Sequence, residues 1–217
     1  MLRPHISKFS QIKVAKTDRT KLPFVIPENN PACDINAQIC FVATHEKIVR
    51  TDFEMRFINP ESLNYIELLL DRHLMSCVVL PSWHVNADFS YPDDLSRASE
   101  MSAPLGMYTF VCSSFNRKAF IENRGVEEKF ALGFAADDSY FHLWWKKNRR
   151  RMIFGVMKYV VIHLWHGDWK SPSRLKLKDE YTIPLYKKML ENNTLPNDGN
   201  PDWQRPEMIS EVETWKV

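Results

Sequence analysis

Short β-prone runs alternate with segments of helical periodicity along most of the chain, and this alternation limits the possible folds more than any other feature. Residues 47–50, 76–80 and 156–164 are rich in β-branched or other strand-forming side chains, whereas 59–74 and 136–147 have helical patterns. Strands that alternate with helices in this way are typical of α/β proteins. We therefore expect an α/β architecture.

The same patterns predict the remaining elements. Further strands are expected at 12–15 and 107–113, and further helices at 116–123 and 181–192. Another helix is predicted to begin with Asn30 as its N-cap and Pro31 at its first position. Residues 81–104 are loop-like, and a tail rich in Pro, Asn and Asp follows the last helix.

The scarcity of glycine excludes two large classes of nucleotide-binding protein. The chain has 217 residues with 6 Gly and 13 Pro, whereas average usage gives about 15 Gly and about 11 Pro. Neither G-x-G-x-x-G nor G-x-x-x-x-G-K-[ST] is present, so a Rossmann dinucleotide fold and a P-loop enzyme are both excluded. The formal net charge of +2 gives no support to a broad basic face, and we expect no nucleic-acid partner.

The cysteines and the first residues indicate a compartment. Four Cys without any C-x-x-C pair, in a chain rich in apolar residues, are expected to be reduced core thiols; these are Cys33, Cys40, Cys77 and Cys112. Residues 1–5 lack the apolar region of a signal peptide, and no stretch approaches the length of a membrane-spanning helix. We expect a soluble cytoplasmic protein without a transmembrane segment.

Three groups of side chains have the chemistry of a functional site. Asp52 and Glu54, at i and i+2 after the strand that contains Arg50, can share one hard cation. Asp137 and Asp138 precede an aromatic helix, where one of them can cap the helix or serve as a general base. His163 and His166 end a β-run beside Trp165 and could hold a metal or phosphate. Taken singly, each group also has an ordinary explanation as a turn acid, helix cap or strand-end residue.

The order of these groups resembles the later two thirds of a GT-A-fold glycosyltransferase, in the manner of glycosyltransferase family 2. An acidic motif ends a strand (50–54), and a segment like the family's acceptor-side strand, loop and helix follows (110–120). Residues 125–130 and 133–138 then resemble its Gly-Phe-Asp-Glu-x-Phe and Gly-x-x-Glu-Asp motifs. The resemblance covers roughly residues 22 to 170 and lies in the number and order of short motifs.

The resemblance implies a fold and a set of roles. The fold would be a single GT-A-like domain, a mixed central β-sheet flanked by helices, over residues 1–170, with residues 171–217 packed on it as a helix and polar tail. Asp138 matches the family's catalytic base, with Asp137 beside it. The implied donor contacts are Asn30, Asp34, Asn36, Arg50 and Asp52. The implied ligands of Mn²⁺ or Mg²⁺ are Asp52, Glu54, His163 and His166.

The family's first strand-and-helix unit has no good counterpart, so the chain looks shortened at its N-terminus. The implied activity is metal-dependent transfer of a sugar from a nucleoside-diphosphate sugar to an acceptor hydroxyl of a carbohydrate or glycan, with inversion. Two alternatives stay open. One is a catalytically silent GT-A-like module that binds a glycan or a protein, and the other is a metal-dependent hydrolase that uses His163, His166 and the acids.

Overall fold

The computed structural model describes residues 11–24, 26, 31–52, 55–84, 112–148, 150–163 and 171–216. Its centre is a mixed sheet of four strands in the order β2-β6-β4-β7. The strands are β2 (Lys47–Thr51), β4 (Cys77–Val79), β6 (Cys112–Asn116) and β7 (Met152–Phe154). Strand β6 is antiparallel to both of its neighbours, whereas β4 and β7 are parallel. The expected α/β class with a mixed central sheet is confirmed.

A second, three-stranded sheet in the order β3-β8-β5 continues from the end of β2. Its strands are β3 (Met55–Phe57), β5 (Ser82–His84) and β8 (Val161–His163). Three residues separate the end of β2 from the start of β3, and the N–H of Met55 donates to the carbonyl of Asp52. Residues 52–54 therefore connect the two sheets.

Six α-helices surround the sheets in the described part of the chain. They are α1 (Ala32–Ala37), α2 (Ser62–Arg72), α3 (Arg117–Glu122), α4 (Asp137–Lys147), α5 (Pro172–Leu177) and α6 (Ile183–Glu191). Two of them run into π-helical turns, α1 into Gln38–Val42 and α5 into Lys178–Thr182. None of the described helices is long and apolar enough to cross a membrane.

The two ends of the described chain form one antiparallel ribbon. Strand β1 (Gln11–Thr17) pairs with β9 (Ile209–Lys216), in register from Gln11 opposite Lys216 to Thr17 opposite Ile209. Strand β9 was not predicted, because the sequence there shows charged residues in a polar tail. Strand β1 was predicted, and its partner lies almost 200 residues away along the sequence.

One aromatic core joins the sheet, the helices and the C-terminal segment. Phe115 of β6 stacks on Phe120 of α3 and lies against Trp145 of α4. Trp203 and Met208, from the segment before β9, belong to the same buried cluster. The four cysteines are buried and free, which confirms the prediction of reduced core thiols.

A buried polar network fixes the C-terminal segment to the loop before α4. The Arg205 guanidinium pairs with the Glu128 carboxylate at 2.9 Å, and both side chains are at least nine-tenths buried. The main-chain N–H of Asn197 donates to Glu127. Gly125 has a positive φ of 66°, and a Cβ there would lie 2.4 Å from the Trp203 ring, so this position requires glycine.

Candidate functional site

The last residues of β2 place an arginine and an aspartate side by side. The Arg50 guanidinium lies 2.5 Å from the Asp52 carboxylate, and both side chains are largely shielded from solvent. Arg50 pairs in register with Ser113 of β6, so the ion pair lies at the edge where β2 ends and β6 begins. The pairing of β2 with β6 therefore holds the backbone of Arg50, the positively charged residue of the ion pair.

Asp137 brings a second carboxylate into the electrostatic field of this ion pair. It is the first residue of α4 and follows two residues with left-handed backbones, Ala135 and Ala136. Burial raises the pKa of the Asp137 carboxyl above its ordinary 3.8. Hydrogen bonds from the main-chain N–H groups of Asp137 and Asp138 and the positive charge of Arg50 lower this pKa, and the negative charge of Asp52 raises it. The residue keeps partial contact with solvent. An acid with a raised pKa is a stronger base once it is ionised, which suits proton abstraction.

Asp138, one residue further on, interacts with a different part of the molecule. Its carboxylate accepts hydrogen bonds from the N–H of Ser139 at 2.6 Å and from the Ser139 hydroxyl at 3.3 Å. Its charge also contributes to the raised pKa of the Tyr186 hydroxyl, after burial, which is the larger cause. The charge of Asp137 thus interacts with those of Arg50 and Asp52, and the charge of Asp138 interacts with the Tyr186 hydroxyl.

A neutral histidine lies next to Ser113, the strand partner of Arg50. His142 of α4 is fully buried, and its Nε2 is 3.4 Å from the Ser113 hydroxyl. Burial, assisted by the positive charge of Arg50, lowers the pKa of His142 to about 3. The imidazole is therefore uncharged at ordinary pH and leaves Arg50 as the positive group there. Sequence patterns gave no indication of His142, because a histidine on the aromatic face of a helix is usually a core residue.

The predicted metal ligands lie partly within the described residues. His163, at the end of β8, pairs in register with Met55, whose N–H donates to the carbonyl of Asp52. Asp52 and His163 are thus donors near the junction of the two sheets, while Glu54 and His166 lie outside the described residues. Within those ranges, His, Cys, Asp and Glu side chains form no group of three or more that could hold an ion.

The residues predicted to contact the donor nucleotide have structural partners. The Asn36 side chain is fully buried, and its amide both donates to and accepts from the main chain of Val126 at 2.9 Å. Asp34 is also buried, with its carboxylate 2.6 Å from the Arg19 guanidinium. Asn30 lies outside the described residues. The N-cap of α1 is Pro31, one residue later than the predicted Asn30. Asp34 and Asn36 therefore join separate segments of the chain, and their predicted contact with a donor stays a prediction.

An open cleft of about 410 Å³ lies along β2 and ends at the same residues. Its lining is mainly apolar and includes Ile35, Gln38, Ile39, Ile48, Val49 and Arg50. Arg50 is thus both a lining residue of the cleft and the partner of Asp52 in the ion pair. Apolar walls that end in a few polar groups are typical of small-molecule sites.

No family model matches the chain, and no curated protein matches it significantly. The candidate site is therefore described by its own residues. It consists of the Arg50–Asp52 ion pair at the end of β2, Asp137, whose pKa these two charges influence, and the cleft along β2.

Proposed function

We propose that the protein is a glycosyltransferase of the GT-A kind, which moves a sugar from a nucleoside-diphosphate sugar to an acceptor hydroxyl. The observation that carries the proposal is the Arg50–Asp52 ion pair at the end of β2, whose charges also act on Asp137. The sequence resemblance assigned donor-side and acceptor-side roles to residues more than 80 positions apart, and this electrostatic interaction supports one common site for them. Ligands of α/β sheets bind beyond the carboxyl ends of strands, where this cluster lies.

Asp137 is the proposed general base. Its carboxylate would accept the proton of the acceptor hydroxyl while that oxygen bonds to the anomeric carbon. The bond from the anomeric carbon to the diphosphate then breaks, and its electron pair stays on the diphosphate oxygen. Attack from the face opposite the leaving group inverts the anomeric configuration. Asp138, which the resemblance alone favoured, would support the helix terminus through Ser139.

Arg50 is the proposed partner of the leaving group. Its guanidinium can offset the charge that develops on the diphosphate, and it lines the cleft in which the nucleoside would lie. Asp52 and His163 would hold a divalent cation, together with Glu54 outside the described residues. Such a cation supplies further charge neutralisation when it is bound.

A second candidate is a GT-A-like module that binds a glycan or a protein without catalysis. One observation favours it: Asp52 is already paired with Arg50 at 2.5 Å, so a cation must compete with a guanidinium for this carboxylate. The two candidates differ in turnover, because only the enzyme breaks the donor's glycosidic bond.

Thermal unfolding with nucleoside diphosphates and Mn²⁺ tests the proposed site. We expect a diphosphate at about 100 times its Kd to stabilise the native state by about 2.7 kcal/mol, and the Mn²⁺-dependent part to disappear in Asp52→Ala. Asp71→Ala is the matched control, because Asp71 pairs with Lys47 at the opposite end of β2. No stabilisation of the wild type by any nucleoside diphosphate, with or without Mn²⁺, would contradict the proposal. Equal stabilisation of wild type and Asp52→Ala would contradict the metal role.

A further inference from the structure

The turn that precedes Asp137 has a strained backbone. Ala135 and Ala136 have φ values of 65° and 71°, in the left-handed region where a Cβ crowds the following carbonyl. Two such alanines in succession need contacts from elsewhere to hold them. The carbonyl of Ala136 accepts the first hydrogen bond of α4, from the N–H of Tyr140 at 2.9 Å, so the turn sets where the helix begins.

Contacts from the C-terminal helices hold this turn. The Thr182 hydroxyl oxygen accepts a hydrogen bond from the N–H of Phe134 at 2.8 Å, and Thr182 is fully buried. The same oxygen lies 2.2 Å from the position of a Cβ at residue 133, so only glycine lets the chain approach this closely. The Arg174 guanidinium lies over the Phe134 ring, 5.4 Å from its centroid.

A π-helical turn brings Thr182 to this place. The turn covers Lys178–Thr182, between α5 and α6. Tyr181, the preceding residue, donates its hydroxyl to the carbonyl of Lys129 at 3.1 Å. The Tyr181 hydroxyl therefore binds residue 129, whereas the Thr182 hydroxyl binds residue 134, next to the turn before Asp137. Single π-turns within helices often occur at functional sites.

We propose that Thr182 is a positioning residue, whose hydroxyl holds the Gly133–Ala136 turn and thereby fixes Asp137, the proposed base, at the first position of α4. The inference rests on the proposed function for its kinetic consequence, but the contact with the turn stands independently of it. Thr182 belongs to no recognisable sequence motif, and it lies 45 residues after Asp137.

The test compares Thr182→Val, which removes the hydroxyl at nearly constant volume, with Thr182→Ser, which keeps it. With nucleoside-diphosphate sugar as substrate, we expect Thr182→Val to lower kcat by about 10²-fold while the donor KM changes by less than about twofold. Thr182→Ser should restore most of kcat. Tyr181→Phe is the matched control, since it removes the neighbouring hydroxyl from the same π-turn and should leave kcat near that of the wild type.

Amide hydrogen exchange supplies a readout that does not depend on turnover. In Thr182→Val, exchange at Phe134 and Tyr140 should accelerate about tenfold or more, whereas Thr182→Ser and Tyr181→Phe should retain wild-type protection there. Unchanged protection in Thr182→Val overturns the inference, and so does an equal loss of kcat in the Val and Ser variants. A wild type that turns over no donor contradicts the proposed function alone, because hydrogen exchange still tests the turn.

A second variant tests the inference if Thr182→Val does not fold by itself. Ala136→Gly removes the steric cost of the left-handed backbone and frees the turn. We expect a Tm at or above that of the wild type, so that Thr182→Val can be introduced in this background. Exchange at Phe134 and Tyr140 should be faster in Ala136→Gly/Thr182→Val than in Ala136→Gly, and equal exchange in the two would overturn the inference.

Discussion

Neighbouring carboxylates in this protein have different surroundings, and those surroundings indicate their roles. Burial raises the pKa of Asp137, and the charge of Asp52 adds to the rise, whereas main-chain N–H groups and the positive charge of Arg50 oppose it. Asp138 accepts hydrogen bonds from the N–H and the hydroxyl of Ser139. A helix turns by about 100° per residue, so side chains one position apart point to different sides. The two acids therefore differ in these neighbours, and Asp137 is the one that we propose as the base.

Asp137→Asn should raise the Tm near neutral pH. Because the pKa of Asp137 is raised in the native state, that state binds more protons than the unfolded chain above the ordinary 3.8, and stability falls as the pH rises through the raised pKa. Asn removes this destabilising ionisation. The gain over wild type should vanish as the pH falls towards 3.8, where both states bind the proton.

Scanning calorimetry across this pH range checks the prediction. Asp138→Asn is the matched control and should show no such gain, because its carboxylate already accepts the Ser139 N–H. A lower Tm for Asp137→Asn than for the wild type near pH 7 would show that the ionised carboxylate is well stabilised where it lies.

Part of the candidate site could be predicted from the sequence, for reasons that differ from residue to residue. Asp52 was found because an acid directly after a β-run is a local pattern. The choice of Asp137 over Asp138 depends on the left-handed backbones of Ala135 and Ala136, and alanine gives no indication of such a conformation. Asn36 was assigned to the donor, yet its amide binds Val126, 90 residues away. No local pattern encodes that contact.

At the scale of elements, buried polar contacts hold the C-terminal segment against the loop before α4. Glu128 receives hydrogen bonds from Arg205 at 2.9 Å and from Asn200 at 3.0 Å. Burial raises the pKa of Glu128, and the Arg205 guanidinium opposes that rise. Removal of one partner would leave the other as a buried charge without compensation.

Arg205→Met should lower the free energy of unfolding by about 3–5 kcal/mol, because Glu128 would lose its cation inside the protein. The double variant Glu128→Gln/Arg205→Met should recover much of this loss. Urea denaturation measures both values. Lys16→Met is the control, because the Lys16–Glu211 ion pair also links the C-terminal segment to the rest of the protein but is exposed to solvent. We expect its free energy of unfolding to be close to that of the wild type. Equal losses at the two positions would contradict the account.

The elements with strong periodicity were predicted, and those that depend on distant pairing were not. Helices α2 and α4 fall within their predicted ranges, since each shows its pattern over three turns. Strand β6 lies later than the predicted 107–113, of which only 112 and 113 belong to the described residues. Strand β7 has three residues beside a basic run, and β9 carries Glu211 and Glu213. Both are strands because of their partners, β4 and β1.

At the scale of the whole molecule, the C-terminal segment contacts several parts of the fold and is an integral part of it. Trp203 and Met208 lie in the main core, β9 pairs with β1, and Thr182 reaches the turn before α4. The last 45 or so residues thus contact the ribbon, the core and the candidate site. Such interdependence predicts one cooperative unfolding unit.

A fragment of residues 1–170 should therefore fail to fold. It would leave Glu128 without Arg205, β1 without β9, and the core without Trp203. We expect the fragment to show no cooperative transition in urea, whereas the full chain shows one that coincides by circular dichroism and tryptophan fluorescence. A cooperative transition of the fragment would show that residues 1–170 form an independent domain.

The most direct test of the central claim is turnover of nucleoside-diphosphate sugars with Mn²⁺, measured by release of the nucleoside diphosphate. The account predicts release from at least one donor by the wild type. It also predicts a loss of about 10²- to 10⁴-fold in kcat for Asp137→Asn, and a smaller loss for Asp138→Asn. Wild-type turnover in Asp137→Asn, or a larger loss in Asp138→Asn, would contradict the assignment of Asp137 as the base. Absence of release from every donor would contradict the glycosyltransferase itself.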